Sequence, residues 1–234
     1  MLMIEVEALA KYFGKFSALR DLCIRINQGD FIALFGRNGA GKTTLLRILA
    51  GLTRPSAGSI TIHTSRPLSP RLARGITGYL SHATALYSDL TALENLRFFA
   101  QLQDLPCDDA TLQKNIERVG LAGRERDPVR NYSRGMQQRL AIARAFLHDP
   151  ALLLLDEPFT GLDQAGMDYL KGWLADARQH GKTCVMALHD PALGFELANR
   201  LVVIDRGVVA LDILRDSITP AEFQEKFRAL SKER

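Results

Sequence analysis

The residues best suited to chemistry lie in one glycine-rich stretch that fits the pattern G-x-x-x-x-G-K-[ST]. Glycines let a backbone approach phosphates closely and aim its amide groups at them. Lys42 is placed to reach the β- and γ-phosphates, and Thr43 to hold Mg²⁺. The residues of this stretch predicted to contact a nucleoside triphosphate are Gly36, Asn38, Gly39, Ala40, Gly41, Lys42, Thr43 and Thr44.

The chain on either side has the pattern that such a site needs. An apolar run at Phe31–Phe35 predicts a buried strand, and Thr44–Ala50 predicts a helix that ends at Gly51. The N-terminus of that helix adds partial positive charge where phosphates would lie. The alternative is a glycine-rich turn that matches by chance, which arises in roughly one chain of this length per hundred. The order strand, loop, helix makes a chance match rarer still.

Two acidic residues follow another predicted strand. Leu152–Leu155 is an apolar run that ends in Asp156 and Glu157. An enzyme that cleaves a nucleoside triphosphate needs one carboxylate for Mg²⁺ and a second to orient the attacking water. We assign Asp156 to the metal and Glu157 to the general base. Alone, two acids after a strand are a weak signal, because acidic residues commonly end strands at the surface.

Further polar residues follow in a fixed order. Ser133 and Gly135 open a predicted helix, where the N-terminus would form a second anion site, although an ordinary helix cap has the same sequence. Thr160–Asp163 comes next, and His189 follows a later strand. Together with the glycine-rich stretch and the acidic pair, this set resembles the motifs of ATP-binding-cassette (ABC) ATPases. The resemblance extends from Ile4 to about Leu211.

The resemblance implies a composite site. In this family two copies pair head to tail, and each ATP lies between the glycine-rich loop of one copy and the signature helix of the other. Ser133, Gly135 and Met136 would then face the γ-phosphate bound by the partner copy. Asp163 would lie in the loop that joins the two sites, and His189 would act beside Glu157 by contacting the γ-phosphate and the attacking water.

The resemblance also implies an aromatic residue that stacks on adenine, which points to Phe13 in preference to Tyr12. Two positions depart from the family pattern. His82 stands where glutamine is usual, and it can bind Mg²⁺ only through an unprotonated ring nitrogen, so it is a further candidate ligand. The signature reads Tyr-Ser-Arg-Gly-Met where Leu-Ser-Gly-Gly-Gln is usual, but it retains the serine and the second glycine.

The pattern of elements predicts an α/β fold with a P-loop NTPase core and a mainly parallel sheet, preceded by an antiparallel β-subdomain. The early strands are Ile4–Leu9, Ala18–Ile26 and Gly58–His63, and the later ones are Ile76–Leu80, Leu152–Leu155, Thr183–Leu188 and Leu201–Ile204. Residues 90–149 predict an inserted helical subdomain that opens with a capping box at Thr91–Glu94. A short helix at about 219–231 follows, and we expect residues 1–234 to form one nucleotide-binding domain.

Composition narrows the class of protein. The net charge of +4 is spread along the chain, so charge does not favour a nucleic-acid partner. Cys23, Cys107 and Cys184 are odd in number and far apart, which indicates reduced thiols in the cytosol. No apolar run approaches the ~20 residues of a membrane span, and the N-terminus does not resemble a signal peptide. We therefore expect a peripheral protein on the cytoplasmic face of the inner membrane, bound to integral membrane subunits.

Among ABC proteins, the sequences at His82–Phe99, Ser133–Arg139 and Asp156–Asp163 most resemble those of the ATPase subunits of cytochrome c maturation haem exporters. Multidrug, lipid and polysaccharide exporters share much of these sequences. Non-transport ABC ATPases of DNA repair or translation fit less well, because the chain has no heptad repeats, no second cassette and no basic stripe. A P-loop kinase or GTPase would need an acceptor site or an Asn-Lys-x-Asp motif, and neither is visible.

Overall fold

The computed structural model describes residues 1–63, 75–81, 83–106 and 108–232. The strands in these ranges are β1 (Leu2–Phe13), β2 (Phe16–Asn27), β3 (Phe31–Phe35), β4 (Ala57–Ile62), β5 (Thr77–Leu80), β6 (Leu152–Asp156), β7 (Thr183–Ala187), β8 (Arg200–Asp205) and β9 (Val208–Leu214). The helices are α1 (Lys42–Leu49), α2 (Ala92–Leu102), α3 (Asp109–Arg118), α4 (Arg134–Ala145), α5 (Gln164–Gln179), α6 (Pro191–Leu197) and α7 (Pro220–Lys232). Short 3₁₀ turns lie at Val129–Asn131 and Arg215–Ser217.

The described strands form two sheets. One is antiparallel, with the strand order β2-β1-β4. The other has the order β5-β6-β7-β3-β8-β9 and is parallel except for the pairing of β8 with β9. The predicted fold class, a mainly parallel sheet with an antiparallel N-terminal part and covering helices, is confirmed.

The central strands are buried on both faces, which is why their sequences are continuous apolar runs. Every residue of β3, β6 and β7 is buried. Residues alternate between two hydrophobic clusters: Phe35 belongs to the cluster under α2–α7, while Leu34 belongs to the one formed with α1 and the antiparallel sheet. Because these strands run parallel, the segments that follow them meet at one edge of the sheet.

Local sequence signals set several helix ends. Thr91 and Glu94 form the predicted capping box, in which the Thr91 hydroxyl accepts from the Glu94 amide and the Glu94 carboxylate accepts from the Thr91 amide. The predicted start of α1 at Thr44 was two residues late, because Gly41 caps the helix and it begins at Lys42. β9 was not predicted, since four of its seven positions are exposed and it carries Asp212. None of the described helices is long and apolar enough to cross a membrane.

Candidate active site

The loop between β3 and α1 has a backbone that only glycine adopts easily. Gly36, Gly39 and Gly41 have φ angles of 150°, 80° and 111°. At Gly41 space is also short, because an added Cβ would lie 2.6 Å from the carbonyl oxygen of Ala18 and 2.7 Å from Cδ2 of Leu19. The loop therefore packs directly on β2 and leads into the N-terminus of α1, which has no acidic residue in its first turn.

Lys42 is the cation of this loop. Its side chain is buried, and Nζ donates to the carbonyl oxygens of Gly36 at 2.7 Å and Arg37 at 3.3 Å. Burial lowers the pKa of Lys42, while the carboxylates of Glu157 and Asp156 act in the opposite direction. The amine is thus held by neutral carbonyls in a place where an anion would stabilise its charge.

Oxygen ligands for a divalent cation lie beside the lysine. The Thr43 hydroxyl donates to Oδ1 of Asp156 at 3.1 Å, and Asp156 is almost fully buried at the end of β6. Hydroxyl and carboxylate oxygens are the ligands that Mg²⁺ prefers, so this pair fits the ion. Burial and the negative charge of Asp156 raise the pKa of neighbouring Tyr79 to about 12. His82, the further candidate ligand, lies outside the described residues.

Glu157 and His189 meet at the same edge of the sheet. Nε2 of His189 lies 2.6 Å from Oε1 of Glu157. Glu157 has a φ of 54°, unusual for a residue with a side chain, and its amide donates to the carbonyl of Ala187 at 3.2 Å. The contact joins the residues that follow β6 and β7, so a carboxylate and an imidazole are positioned together beside the glycine-rich loop.

A cavity of about 260 Å³ lies over the loop. The described residues that line it are Phe16, Ala18, Arg37, Asn38, Gly39, Ala40, Gly41, Lys42, Thr43, Thr44 and Glu157. Sequence reasoning missed Phe16, Ala18 and Arg37. Phe13, the predicted adenine platform, pairs with Phe16 across the turn at Gly14 and Lys15, and both rings are more than half exposed. An aromatic residue on each side of this turn was the signal that could have pointed to Phe16.

The signature residues form a second group, and they are not among the described residues that line this cavity. Ser133 caps α4, and its hydroxyl accepts from the Met136 amide at 3.2 Å. Asp163 caps α5 by accepting from the Gly166 amide at 2.9 Å. A Cβ added at Gly135 would lie 3.4 Å from the carbonyl oxygen of Gly161, so the start of α4 touches the loop that carries Asp163.

The family described as ABC transporter matches residues 19–160, which includes the glycine-rich loop, the signature and the acidic pair. The chain belongs to the ABC transporter family. More specifically, it is an ABC transporter ATPase domain. The predicted family, and ATP as the nucleotide, are thereby confirmed.

Characterised and uncharacterised ABC proteins are similar over most of the chain. An uncharacterized ABC transporter ATP-binding protein, YdbJ of Bacillus subtilis, is 36% identical over 90% of this chain and 69% of its own length. The cytochrome c biogenesis ATP-binding export protein CcmA of Vibrio cholerae is 37% identical over 80% of this chain and 91% of its own length. The sulfate/thiosulfate import ATP-binding protein CysA 2 of Rhizobium meliloti is 35% identical over 88% of this chain, which spans only 58% of that relative.

Solved structures of ABC proteins share the fold. The structure of an ATP binding subunit of an ABC transporter superposes with a TM-score of 0.86 at 27% identity and covers 98% of this chain and all of its own. The dimeric structure of MJ0796, a bacterial ABC transporter cassette, superposes with a TM-score of 0.80 at 25% identity, covering 91% of this chain and 99% of its own.

Proposed function

We propose that this ABC ATPase couples ATP hydrolysis to export by separate integral membrane subunits. The observation that carries the catalytic part is the 2.6 Å contact between Glu157 and His189 at the sheet edge that also holds Lys42. A carboxylate beside a bound triphosphate can accept a proton from water, and a histidine in contact with it can fix its orientation. The remaining parts of the site bind and neutralise the phosphates.

Each residue of the site has a separate task. The loop amides and Lys42 bind the β- and γ-phosphates. When Lys42 Nζ exchanges the Gly36 carbonyl for a phosphate oxygen, its hydrogen bond is made to a charged acceptor in place of a neutral one. Thr43 and Asp156 would hold Mg²⁺, which supplies positive charge against the phosphate oxygens. Glu157 accepts the proton of the attacking water, and His189 holds the Glu157 carboxylate and contacts the γ-phosphate.

We also propose the nucleotide-dependent head-to-tail homodimer as the active form. The dimeric MJ0796 cassette, at 25% identity, supports this arrangement. In it, Ser133, Gly135 and Met136 contact ATP bound by the partner copy, and Asp163 lies at the junction. The separation of the signature group from the Lys42 cavity within one chain agrees with a site completed by a second copy. Membrane subunits would place the dimer at the cytoplasmic face of the inner membrane, and no nucleic acid takes part.

We propose that the transported cargo is haem, exported for cytochrome c biogenesis. Of the three relatives described above, CcmA is matched over the largest share of its own length, 91% against 69% and 58%. The sequences of the motifs also support the cytochrome c maturation exporters. Import is the competing possibility, because the CysA relative is similar at 35% identity.

The experiment joins enzymology to a cellular readout. In purified protein, Glu157→Gln should keep ATP affinity and lose turnover by ~10²–10⁴, because the general base is gone. Lys42→Ala should lose affinity and turnover together, and Gln101→Glu on the exposed side of α2 is the neutral control. Near-normal turnover of Glu157→Gln would remove Glu157 from the role.

The cargo is tested in the source organism. Deletion of the gene should abolish c-type cytochromes detected by haem staining, the wild-type gene should restore them, and the Glu157→Gln gene should not. Growth on sulfate as the only sulfur source should be unaffected. Loss of that growth with normal cytochromes would replace export with sulfate import, and loss of neither would reject both cargoes.

A further inference from the structure

One aromatic ring links three parts of the molecule. Phe35 is the last residue of β3, directly before Gly36, and it is fully buried. Its ring centroid lies 5.2 Å from that of Phe223 and 6.0 Å from that of Phe227, both on α7. The end of the strand that carries the glycine-rich loop is therefore packed against the C-terminal helix.

Helix α6 packs on the same ring through Gly194. A Cβ added at Gly194 would clash with Cζ of Phe35, and it would lie 3.1 Å from Cε2 of that ring and 3.2 Å from Cβ of Ala33. Gly194 does not have a positive φ, so its backbone does not require glycine. Glycine is needed here because a methyl group has no space between the helix and the sheet.

His189 is joined to α6 by a short, well-fixed segment. Asp190 caps the helix by accepting from the Ala192 amide at 2.9 Å, so His189 lies immediately before the cap. On its other side, the Leu188 amide donates to the carbonyl of Leu34 at 3.1 Å. A shift of α6 would therefore reach His189 through only one residue.

The helix is the part that would yield to a side chain at position 194. β3 is hydrogen-bonded to β7 on one side and to β8 on the other, so it cannot move alone. The Phe35 ring is backed by Phe223 of α7, which is fully buried. By contrast, α6 has seven residues and an outer side that is partly exposed.

We infer that Gly194 is a positioning residue for the ATPase reaction. Because Gly194 has no side chain, α6 can pack closely against Phe35, and this packing holds His189 in contact with Glu157. The inference rests on the roles proposed above for Glu157 and His189. We expect Gly194 to affect turnover and not ATP binding, because it is not among the described residues that line the cavity over the loop.

The test is Gly194→Ala in the full chain. We expect kcat for ATP to fall by up to about 100-fold, because misplacing a catalytic group by about 1 Å can cost that much. The Kd for ATP, measured by nucleotide titration, should stay within about twofold of wild type. Gly172→Ala on α5 is the matched control, because an added Cβ there has no atom within 4 Å, and its kcat should equal that of wild type.

Two double variants separate positioning from general damage. Phe35→Leu removes the ring edge that Gly194 approaches, so Phe35→Leu/Gly194→Ala should have the kcat of Phe35→Leu alone. In a His189→Ala background, Gly194→Ala should reduce kcat no further, because the group it positions is absent. The Phe35→Leu pair also carries the test if Gly194→Ala alone does not fold.

Defined results would overturn the inference. These are a folded Gly194→Ala protein with wild-type kcat, a raised Kd at unchanged kcat, a loss that persists beside Phe35→Leu, or an equal further loss in the His189→Ala background. If His189→Ala itself retains wild-type turnover, the proposed role of His189 is wrong. This result is distinguishable from a failure of the Gly194 inference, because the His189→Ala variant leaves position 194 unchanged.

Discussion

The charge of Lys42 is already held inside the protein by two carbonyl oxygens, and its pKa is lowered chiefly by burial. A phosphate stabilises the charge of this buried ammonium group more than that of an exposed lysine. Without phosphate, the buried group has only neutral carbonyl acceptors, whereas an exposed lysine is solvated by water. The residue spacing predicted the position of this group, since the geometry of a short loop between a strand and a helix is local.

Adenine stacking is a prediction at the same scale. Phe16 is among the described residues that line the cavity with Lys42, whereas Phe13 lies across the hairpin turn and is not among them. The resemblance to ABC ATPases nevertheless assigns adenine stacking to Phe13. Phe13→Ala should therefore weaken ATP binding by ~1–3 kcal/mol, as loss of a stacked ring commonly does. It should leave the affinity for inorganic triphosphate unchanged. Titration with both ligands gives the measurement.

Phe16→Ala and Tyr12→Ala are the comparison variants. Phe16→Ala should change the affinities for ATP and triphosphate equally, because this ring borders the phosphate end. Tyr12→Ala, exposed like Phe13, should change neither. If ATP affinity is lost selectively in Phe16→Ala and not in Phe13→Ala, the adenine platform is Phe16.

At the scale of elements, a histidine joins helix α4 to the edge strand β5. His148 follows α4, and its Nε2 donates to the carbonyl of Thr77 at 3.1 Å, while Nδ1 is buried without a hydrogen-bond partner among the described residues. Burial lowers the pKa of His148 below its ordinary value of 6.5; the Thr77 carbonyl and Asp149 oppose the shift, and Lys182 adds to it.

The direction of the resulting pH effect follows from proton linkage. The folded protein holds a neutral ring, so below pH 6.5 the unfolded chain binds more protons, and the free energy of unfolding falls as pH falls toward the folded pKa. In His148→Gln the amide can still donate to Thr77 but cannot be protonated. Urea unfolding between pH 7.5 and 5 should show a shallower loss for this variant than for wild type.

The elements also show what sequence can and cannot establish. Buried parallel strands such as Leu152–Asp156 are visible as apolar runs, and the capping box at Thr91 is visible as a motif, because each depends on neighbours in sequence. The role of Phe16 in the cavity and the fit of Gly194 on Phe35 depend on contacts between distant segments. No local pattern distinguishes Gly194 from an ordinary helix glycine such as Gly172.

At the scale of the whole molecule, the cavity at Lys42 and the signature residues lie apart within one chain, as the proposed head-to-tail dimer requires. The cavity with Lys42 and Glu157 has no signature residue among its described lining, and Ser133 is exposed at the start of α4. A two-fold pair of chains would bring the cavity of each to the signature residues of the other, so two sites form together or not at all. Because ATP would bind both chains at once, dimer formation should depend on its concentration.

The dimer is tested with Glu157→Gln protein, which should bind ATP without hydrolysing it. By sedimentation it should be largely monomeric without nucleotide and dimeric with ATP and Mg²⁺. Adding Ser133→Arg should abolish the dimer, because the larger side chain fills the space for the partner's phosphate, while ATP binding to the monomer stays intact. Thr219→Arg is the matched control, because it also replaces a helix cap, that of α7, but away from the signature. Loss of this cap should lower the free energy of unfolding by ~1 kcal/mol. A Ser133→Arg protein that still dimerises would refute the composite site, and one that cannot bind ATP as a monomer would place Ser133 in the pocket of its own chain.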